Sequence, residues 1–166
     1  MKLTSKGRIA VTSLVDIALN AGNGKPVSLS EISQRQNISL SFLEQIFLSL
    51  KRSGIVRSVR GPSGGYLFAR SPNYIMIYDV ILAINEELKI TKCNGIDFGC
   101  VSSKKSKCLT HNLWNNLTNH ISFFLNSVSI NDVAEDSYDQ IFSKKTVNDD
   151  KQSIEIVKRD EIFNIK

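Results

Sequence analysis

Two Ser-x-x-Glu patterns in close succession constrain the fold of this chain more than any other feature. They run from Ser28 to Glu31 and from Ser41 to Glu44. Each fits a capping box, in which a serine side chain and a glutamate three residues later bind each other's backbone amides at a helix start. Residues 37–39 form a tight turn between the two patterns. The sequence therefore predicts two short helices joined by a turn, which is a helix-turn-helix.

A longer helix and a hairpin flank this pair of helices. Residues 5–21 place Ile9 and Ile17 on one wide apolar face, which predicts a first helix. Behind the pair, residues 55–60 and 66–69 have the composition of two strands, and the turn between them is rich in glycine. A hairpin that directly follows a helix-turn-helix is a wing.

Basic charge is concentrated in the front of the chain. Residues 1–70 hold ten Lys or Arg and three Asp or Glu, a net charge of +7, whereas the whole chain carries +5. A basic front half with a near-neutral remainder is typical of a nucleic-acid binder. Charge alone would fit a solvated lysine-rich surface equally well, so the helix-turn-helix decides in favour of DNA.

The second helix of the pair is predicted to enter the major groove with its N-terminus first. Ser39, Ser41, Glu44 and Gln45 then lie near base edges, where Gln can pair with adenine and Glu can accept from cytosine. Capping by itself would account for Ser41 and Glu44, so base contact by Glu44 is a separate hypothesis. The other predicted DNA contacts are those of Lys6, Arg8, Lys51 and Arg52 with phosphates and those of Arg60, Gly61, Gly64 and Gly65 at the wing.

All three cysteines, Cys93, Cys100 and Cys108, lie in one polar loop, and His111 follows them. Thiol–disulfide sensing needs only two cysteines and leaves His111 unexplained, whereas a metal uses all four side chains. Three thiolates and one imidazole suit either structural zinc or an iron–sulfur cluster. The wide spacing favours a cluster, because zinc fingers usually have two short ligand gaps and this segment has one. Lys104, Lys105, Lys107 and the positive N-terminus of the following helix suit an anionic centre.

A strongly amphipathic pattern follows the ligands over residues 110–126. Leu113, Leu117, Ile121 and Phe124 recur at helical spacing. If the winged domain has a complete core of its own, this helix supplies a homodimer interface instead.

The predicted fold is mainly α with a small β-hairpin wing: a winged helix-turn-helix domain plus a long dimerisation helix. The predicted parts are the winged domain over residues 1–90 (helix-turn-helix about 28–52, wing about 55–69), the cluster-binding loop over 91–111, the dimerisation helix with a short capping helix over 108–135, and a flexible tail over 139–166.

Other classes of function have less support. No apolar run approaches the roughly 20 residues of a membrane span. The odd number of cysteines argues against a secreted disulfide framework. We therefore expect a cytoplasmic protein with no membrane partner. No further catalytic constellation accompanies the cysteines, so we expect no enzyme activity. A zinc-stabilised winged-helix repressor is the alternative hypothesis, and an electron-transfer or redox enzyme is the third.

Four motifs together resemble the Rrf-type winged-helix transcription regulators, in particular those that sense iron–sulfur clusters. They are LTSKGRIAVTSLVDIALN, ISLSFLEQIF, SVRGPSGGY and CLTHNLW. The resemblance covers roughly residues 1–135. It implies a homodimeric bacterial regulator, repressor or activator, that binds palindromic promoter DNA. It also implies one 2Fe–2S cluster per subunit, held by Cys93, Cys100, Cys108 and His111 and supplied by the cluster assembly machinery. Cluster occupancy would then select promoters, above all that of the cluster assembly operon.

Two features depart from the family pattern. Residues 101–105 lengthen the cysteine loop, and Ile9 stands where an aromatic residue is expected. The extra length keeps all four ligands but changes how the loop is joined to the DNA-binding domain.

Overall fold

The computed structural model describes residues 4–86 and 110–136. Its elements are α1 (Ser5–Asn20), α2 (Leu29–Gln36), α3 (Leu40–Arg52), β1 (Val56–Val59), β2 (Gly65–Phe68), α4 (Ile77–Ala83), α5 (His111–Ser127) and α6 (Ile130–Ala134). The predicted fold class, mainly α with a hairpin wing, is confirmed. The predicted flexible tail over 139–166 lies outside the described residues, as does nearly all of the predicted ligand loop.

The first capping box forms as the sequence predicts. The Glu31 amide donates to Ser28 Oγ at 3.2 Å, and the Ser28 amide donates to Glu31 Oε2 at 2.9 Å. Helix α2 ends at Asn37, whose φ of 52° is left-handed. Asparagine tolerates this conformation better than most residues, so the chain turns sharply there into α3.

One apolar core joins the helices, and α1 lies at its centre, in contact with α2, α3, α4 and α6. The core side chains include Ala10, Leu14, Ile17, Ile32, Leu43, Ile46, Phe47, Leu50, Ile75, Val80, Ile81, Ile84, Val128 and Ile130. Burial of this apolar surface supplies the main driving force for assembly of the helix-turn-helix on α1.

The chain beyond α5 returns to this core. The Ile77 amide donates to the Val128 carbonyl at 3.0 Å, and the Ile130 amide donates to the Ile75 carbonyl at 2.9 Å. Val128 and Ile130 are buried. The sequence interpretation assumed that the winged domain has a complete core of its own. That assumption is wrong, because residues after α5 contribute to this core.

The wing is an antiparallel hairpin, with Val56 opposite Phe68 and Val59 opposite Gly65. Val27, in the chain before α2, adds a rung through two backbone hydrogen bonds with Tyr66, of 3.0 and 2.8 Å. The wing is therefore tied to the start of the helix-turn-helix as well as to its end. Among the helices in the described ranges, none is long and apolar enough to span a bilayer.

Candidate nucleic-acid interface and metal ligands

The N-terminal half of α3 presents the predicted base-reading residues to solvent. Ser39, Ser41, Glu44 and Gln45 are all exposed. On the opposite face of α3, Leu43, Ile46, Phe47 and Leu50 are fully buried. This division fixes the rotation of α3 about its axis, so the same polar face is always turned away from the core.

The second predicted capping box does not form. Helix α3 begins at Leu40 with Ser39 at the N-cap, and no side chain caps it. The Leu43 amide already donates to the Ser39 carbonyl at 3.1 Å, which places Ser41 inside the first turn. The Ser41 hydroxyl instead lies 3.0 Å from the Ser39 hydroxyl. The capping role inferred for Ser41 and Glu44 is therefore wrong.

This shift leaves Glu44 without a partner among the residues that the structure describes. Its carboxylate makes no hydrogen bond or ion pair with any residue that the structure describes. If α3 faces DNA as predicted, an exposed acid on it is unfavourable near phosphates unless it meets a hydrogen-bond donor. The cytosine amino group is such a donor in the major groove.

The glycines of the wing turn are explained first by contacts within the chain. A Cβ on Gly64 would lie 2.4 Å from the Val59 carbonyl oxygen, and one on Gly65 would lie 2.4 Å from the Val27 carbonyl oxygen. Gly61 has open space around it but a φ of 124°, which L-residues rarely adopt. These constraints hold the turn in a tight shape with Arg60 exposed beside it.

Two contacts join the wing to the C-terminal half of α3. The rings of Phe47 and Tyr66 meet edge to face, with centroids 4.8 Å apart. Lys51 Nζ donates to Ser58 Oγ at 2.8 Å. Because the wing and α3 are linked in this way, the position of Arg60 follows that of α3.

The predicted phosphate-binding residues lie in different settings. Arg8 and Arg52 are exposed, and Lys51 is exposed although it bonds Ser58. Lys6 is half-buried, and its Nζ donates to the Ile84 carbonyl at 2.7 Å. Lys6 is thus the one member of this set that is turned toward α4.

A buried ion pair was missed by the sequence interpretation. Asp16 of α1 is 3% exposed, yet it accepts hydrogen bonds from the side chains of Arg35 and Gln36 of α2. Burial by itself raises the pKa of Asp16, but these hydrogen bonds outweigh it and hold the pKa below its usual value. The sequence contained one indication of this pair, since Asp16 is an acidic residue between the apolar residues Leu14 and Ile17 of the first helix.

His111 is the single predicted metal ligand that the structure describes, since Cys93, Cys100 and Cys108 lie outside the described residues. It is the first residue of α5 and is half-buried. Its ring makes no hydrogen bond with any residue in the described ranges. Those ranges contain no group of three or more metal-binding side chains.

Comparison with known proteins agrees with this geometry. The model of the Rrf2 family, described as an iron-dependent transcriptional regulator, matches residues 3–136. The HTH-type transcriptional regulator IscR of Aliivibrio salmonicida is 49% identical over 137 residues, which are 82% of this chain and 79% of the relative. The IscR of Cronobacter sakazakii is 47% identical over 134 residues, 81% of this chain and 80% of the relative.

Two solved structures have the same fold. That of T. potens IscR matches with a TM-score of 0.66 and 31% identity, covering 82% of this chain and 88% of the other. That of CymR, the global cysteine regulator of B. subtilis, matches with a TM-score of 0.69 and 26% identity, covering 81% of this chain and 97% of the other.

Proposed function

The chain belongs to the Rrf2 family of iron-dependent transcriptional regulators, and from that membership we propose how it senses its signal. It is a DNA-binding transcriptional regulator and not an enzyme. We propose that Cys93, Cys100, Cys108 and His111 hold one 2Fe–2S cluster in each subunit. The occupancy of that site would decide which operators the protein binds.

The donor set fits this cofactor. Thiolates and imidazole are the two ligand types found at such clusters, and an imidazole ligand leaves the centre less negative than a fourth thiolate would. When bound, the cluster supplies a removable redox centre whose presence depends on iron and sulfide. His111 stands at the N-terminus of α5, where the helix dipole favours negative charge.

The observation that carries the proposal is the position of His111 on α5. The same helix bears an exposed apolar stripe that includes Leu113, Leu117 and Phe124. No residue of α5, all of which is described, is buried. We propose that this stripe packs against its copy in a second subunit, because a stripe of this kind is unfavourable in water. One helix would thus carry both a cofactor ligand and the dimer contact.

DNA recognition would use the exposed face of α3 and the wing. Ser39, Ser41, Glu44 and Gln45 would face the bases, whereas Arg8 and Arg52 would contact phosphates and set the salt dependence. Arg60 would lie at the adjacent minor groove. In a symmetric dimer the two half-sites should lie about 34–36 Å apart along promoter DNA.

Control of DNA binding follows from linkage. Occupancy of the site can change operator affinity only by the difference in binding free energy between the two states of the protein. The dimer helix α5 is the element that relates the two copies of α3, so a change at its N-terminus can alter their relative placement. We propose that the regulated genes include those for iron–sulfur cluster assembly, as the family resemblance implies, and that the assembly machinery donates the cluster.

Purification without oxygen tests the proposal. The protein should be coloured and should contain iron and acid-labile sulfide in equal amounts. Cys100→Ala should lose the colour, whereas Ser102→Ala in the same segment should keep it. Footprints on promoter DNA should differ between the coloured and colourless forms. A colourless protein with one zinc per chain would contradict the proposal and support a zinc-stabilised repressor instead.

A further inference from the structure

The N-terminus of α1 is capped by a residue from the far end of the winged domain. The first turn of α1 contains no acidic residue. The Glu86 carboxylate takes that place, since its Oε1 accepts from the Gly7 amide at 2.9 Å and from the Thr4 hydroxyl. Thr4 is the N-cap of α1 and itself accepts from the Lys6 amide at 3.2 Å. A carboxylate at this position is favoured both by the free amides and by the helix dipole.

A second contact of opposite polarity joins the same two elements. Lys6, in the first turn of α1, extends its ammonium group to the Ile84 carbonyl at the C-terminal end of α4, at 2.7 Å. A cation is favoured there because the last carbonyls of a helix lack partners and carry partial negative charge. The start of α1 therefore binds the Glu86 carboxylate that follows α4, and the end of α4 binds the Lys6 ammonium group of α1. We call these four residues, Thr4, Lys6, Gly7 and Glu86, the α1–α4 clip.

The backbone around Glu86 is held in place by the end of α4. Asn85 has a left-handed φ of 58°, and the Glu86 amide donates to the Ile81 carbonyl at 3.2 Å. Gly7 allows the close approach, because a Cβ there would lie 2.6 Å from Glu86 Oε2. Any side chain at position 7 would displace the Glu86 carboxylate.

The clip lies between two functional parts of the chain. Glu86 directly precedes residues 87–109, which contain all three cysteines. Gly7 directly precedes Arg8, whose amide donates to the Thr4 carbonyl at 3.3 Å in the first turn of α1. A displacement of Glu86 would therefore release the N-cap of the turn that carries Arg8.

We infer that Glu86 is a positioning residue that couples the cysteine segment to the DNA-facing N-terminus of α1. Cofactor binding by the cysteines would constrain the segment that follows Glu86 in the sequence. Glu86 in turn stabilises the first turn of α1 through its hydrogen bond to the Gly7 amide. The inference rests on the proposed cluster-dependent DNA binding and adds the residues through which the two sites communicate. Coupling of this kind requires an element whose equilibrium both sites bias, and the first turn of α1 is that element.

Operator affinity measured with and without the cofactor tests the inference. In Glu86→Ala the ratio of the two affinities should move toward one by roughly three- to tenfold, the effect of losing a partly exposed hydrogen bond. Glu86→Gln keeps one acceptor oxygen and should restore part of the ratio. Gly7→Ala should act like Glu86→Ala although alanine favours the helix, since its Cβ displaces the carboxylate. Glu135→Ala, which removes an exposed acid outside the clip, is the matched control.

A second readout does not depend on the cofactor. In the cofactor-free protein, amide hydrogen exchange at Gly7 should become faster by roughly tenfold in Glu86→Ala and remain unchanged in Glu135→Ala. Unchanged exchange at Gly7, or a wild-type affinity ratio in both Glu86→Ala and Gly7→Ala, would overturn the inference. If instead the wild-type protein binds operators equally well with and without the cofactor, the proposed cluster-dependent function is wrong. That result is distinct from a failure of the inference about Glu86.

Discussion

The Arg35 guanidinium lies 2.6 Å from the Asp16 carboxylate and joins α2 to α1 across the interior of the helix-turn-helix domain. The two partners differ in exposure: the Asp16 side chain is 2% exposed and the Arg35 side chain 35%. Gln36 adds a hydrogen bond of 2.8 Å to the same carboxylate. Since α2 leads directly into α3, this pair contributes to the placement of α3, the helix that we propose reads DNA.

The difference in exposure predicts that replacing Arg35 lowers the free energy of unfolding more than replacing Asp16 does. Arg35→Met leaves a buried carboxylate without its cation and should lower the free energy of unfolding by about 2–3 kcal/mol. Asp16→Asn leaves a guanidinium that can turn to water, and should cost about 1 kcal/mol. Denaturant titration of both variants and of the double variant measures the asymmetry. Equal losses would show that the carboxylate is not effectively buried.

The lowered pKa of Asp16 predicts a loss of stability in acid. The folded protein binds a proton at Asp16 less readily than the unfolded chain does. This carboxylate therefore contributes full stability above its unfolded pKa, and that contribution disappears as the pH falls through the lower folded pKa. Thermal unfolding from pH 5 down to about pH 2 should show the decline in the wild-type protein, because the loss occurs below the ordinary aspartate pKa of 3.8. Asp16→Asn should have a shallower acid dependence, and an identical slope would contradict this assignment.

The two glutamates of the Ser-x-x-Glu patterns should behave in opposite ways. Glu31→Ala removes a formed capping box and should lower the unfolding midpoint without altering base preference. Glu44→Ala removes no contact within the described residues and should leave stability unchanged within about 0.5 kcal/mol. It should change discrimination at a cytosine position by about 1–3 kcal/mol. Selection from an operator library measures the preference, and an unchanged preference in Glu44→Ala would rule out base contact.

These two glutamates also show how far local patterns predict the fold. Each pattern correctly marks the neighbourhood of a helix start, because serine and glutamate favour such positions whichever residue is the N-cap. Pattern alone did not fix the exact boundary of α3, where the first hydrogen bond starts at Ser39 and not at Ser41. The burial of Leu43, Ile46 and Phe47 sets the register of α3, and that burial depends on α1.

Contacts between distant parts of the chain were not predictable from the sequence. Asp16 with Arg35, Gly7 with Glu86 and Val27 with Tyr66 each join residues that no local periodicity relates. The exposed and buried faces of the helices follow from hydrophobic spacing, whereas the polar partners across them depend on tertiary packing. Cys93, Cys100, Cys108 and His111 stay predicted metal ligands, because the three cysteines lie outside the described residues.

The contact between Gly65 and Val27 predicts that the wing has little tolerance for a side chain at this glycine. Gly65→Ala would bring a Cβ to 2.4 Å from the Val27 carbonyl oxygen, so the wing must move away from the start of α2. We expect a loss of about 1–3 kcal/mol in stability and weaker operator binding, since Arg60 moves with the wing. Gly22→Ala meets nothing within 4 Å and is the matched control. Wild-type operator affinity in Gly65→Ala would mean that wing placement does not govern binding.

The exposed stripe of α5 predicts a dimer that one added charge can disrupt. Leu117 is 41% exposed and lies one turn from Leu113, which is 59% exposed. If a second subunit covers this stripe, Leu117→Lys buries an unpaired ammonium at the interface and should raise the dimer dissociation constant by at least about a hundredfold.

Asn115→Lys adds the same charge elsewhere on α5 and should leave association unchanged. Sedimentation velocity over a range of concentrations distinguishes the two variants. If each α3 reads one half-site, as proposed, the monomeric variant should also lose affinity for a palindromic operator while retaining its folded helix content. A Leu117→Lys protein that still sediments as a dimer would place the subunit interface somewhere other than α5.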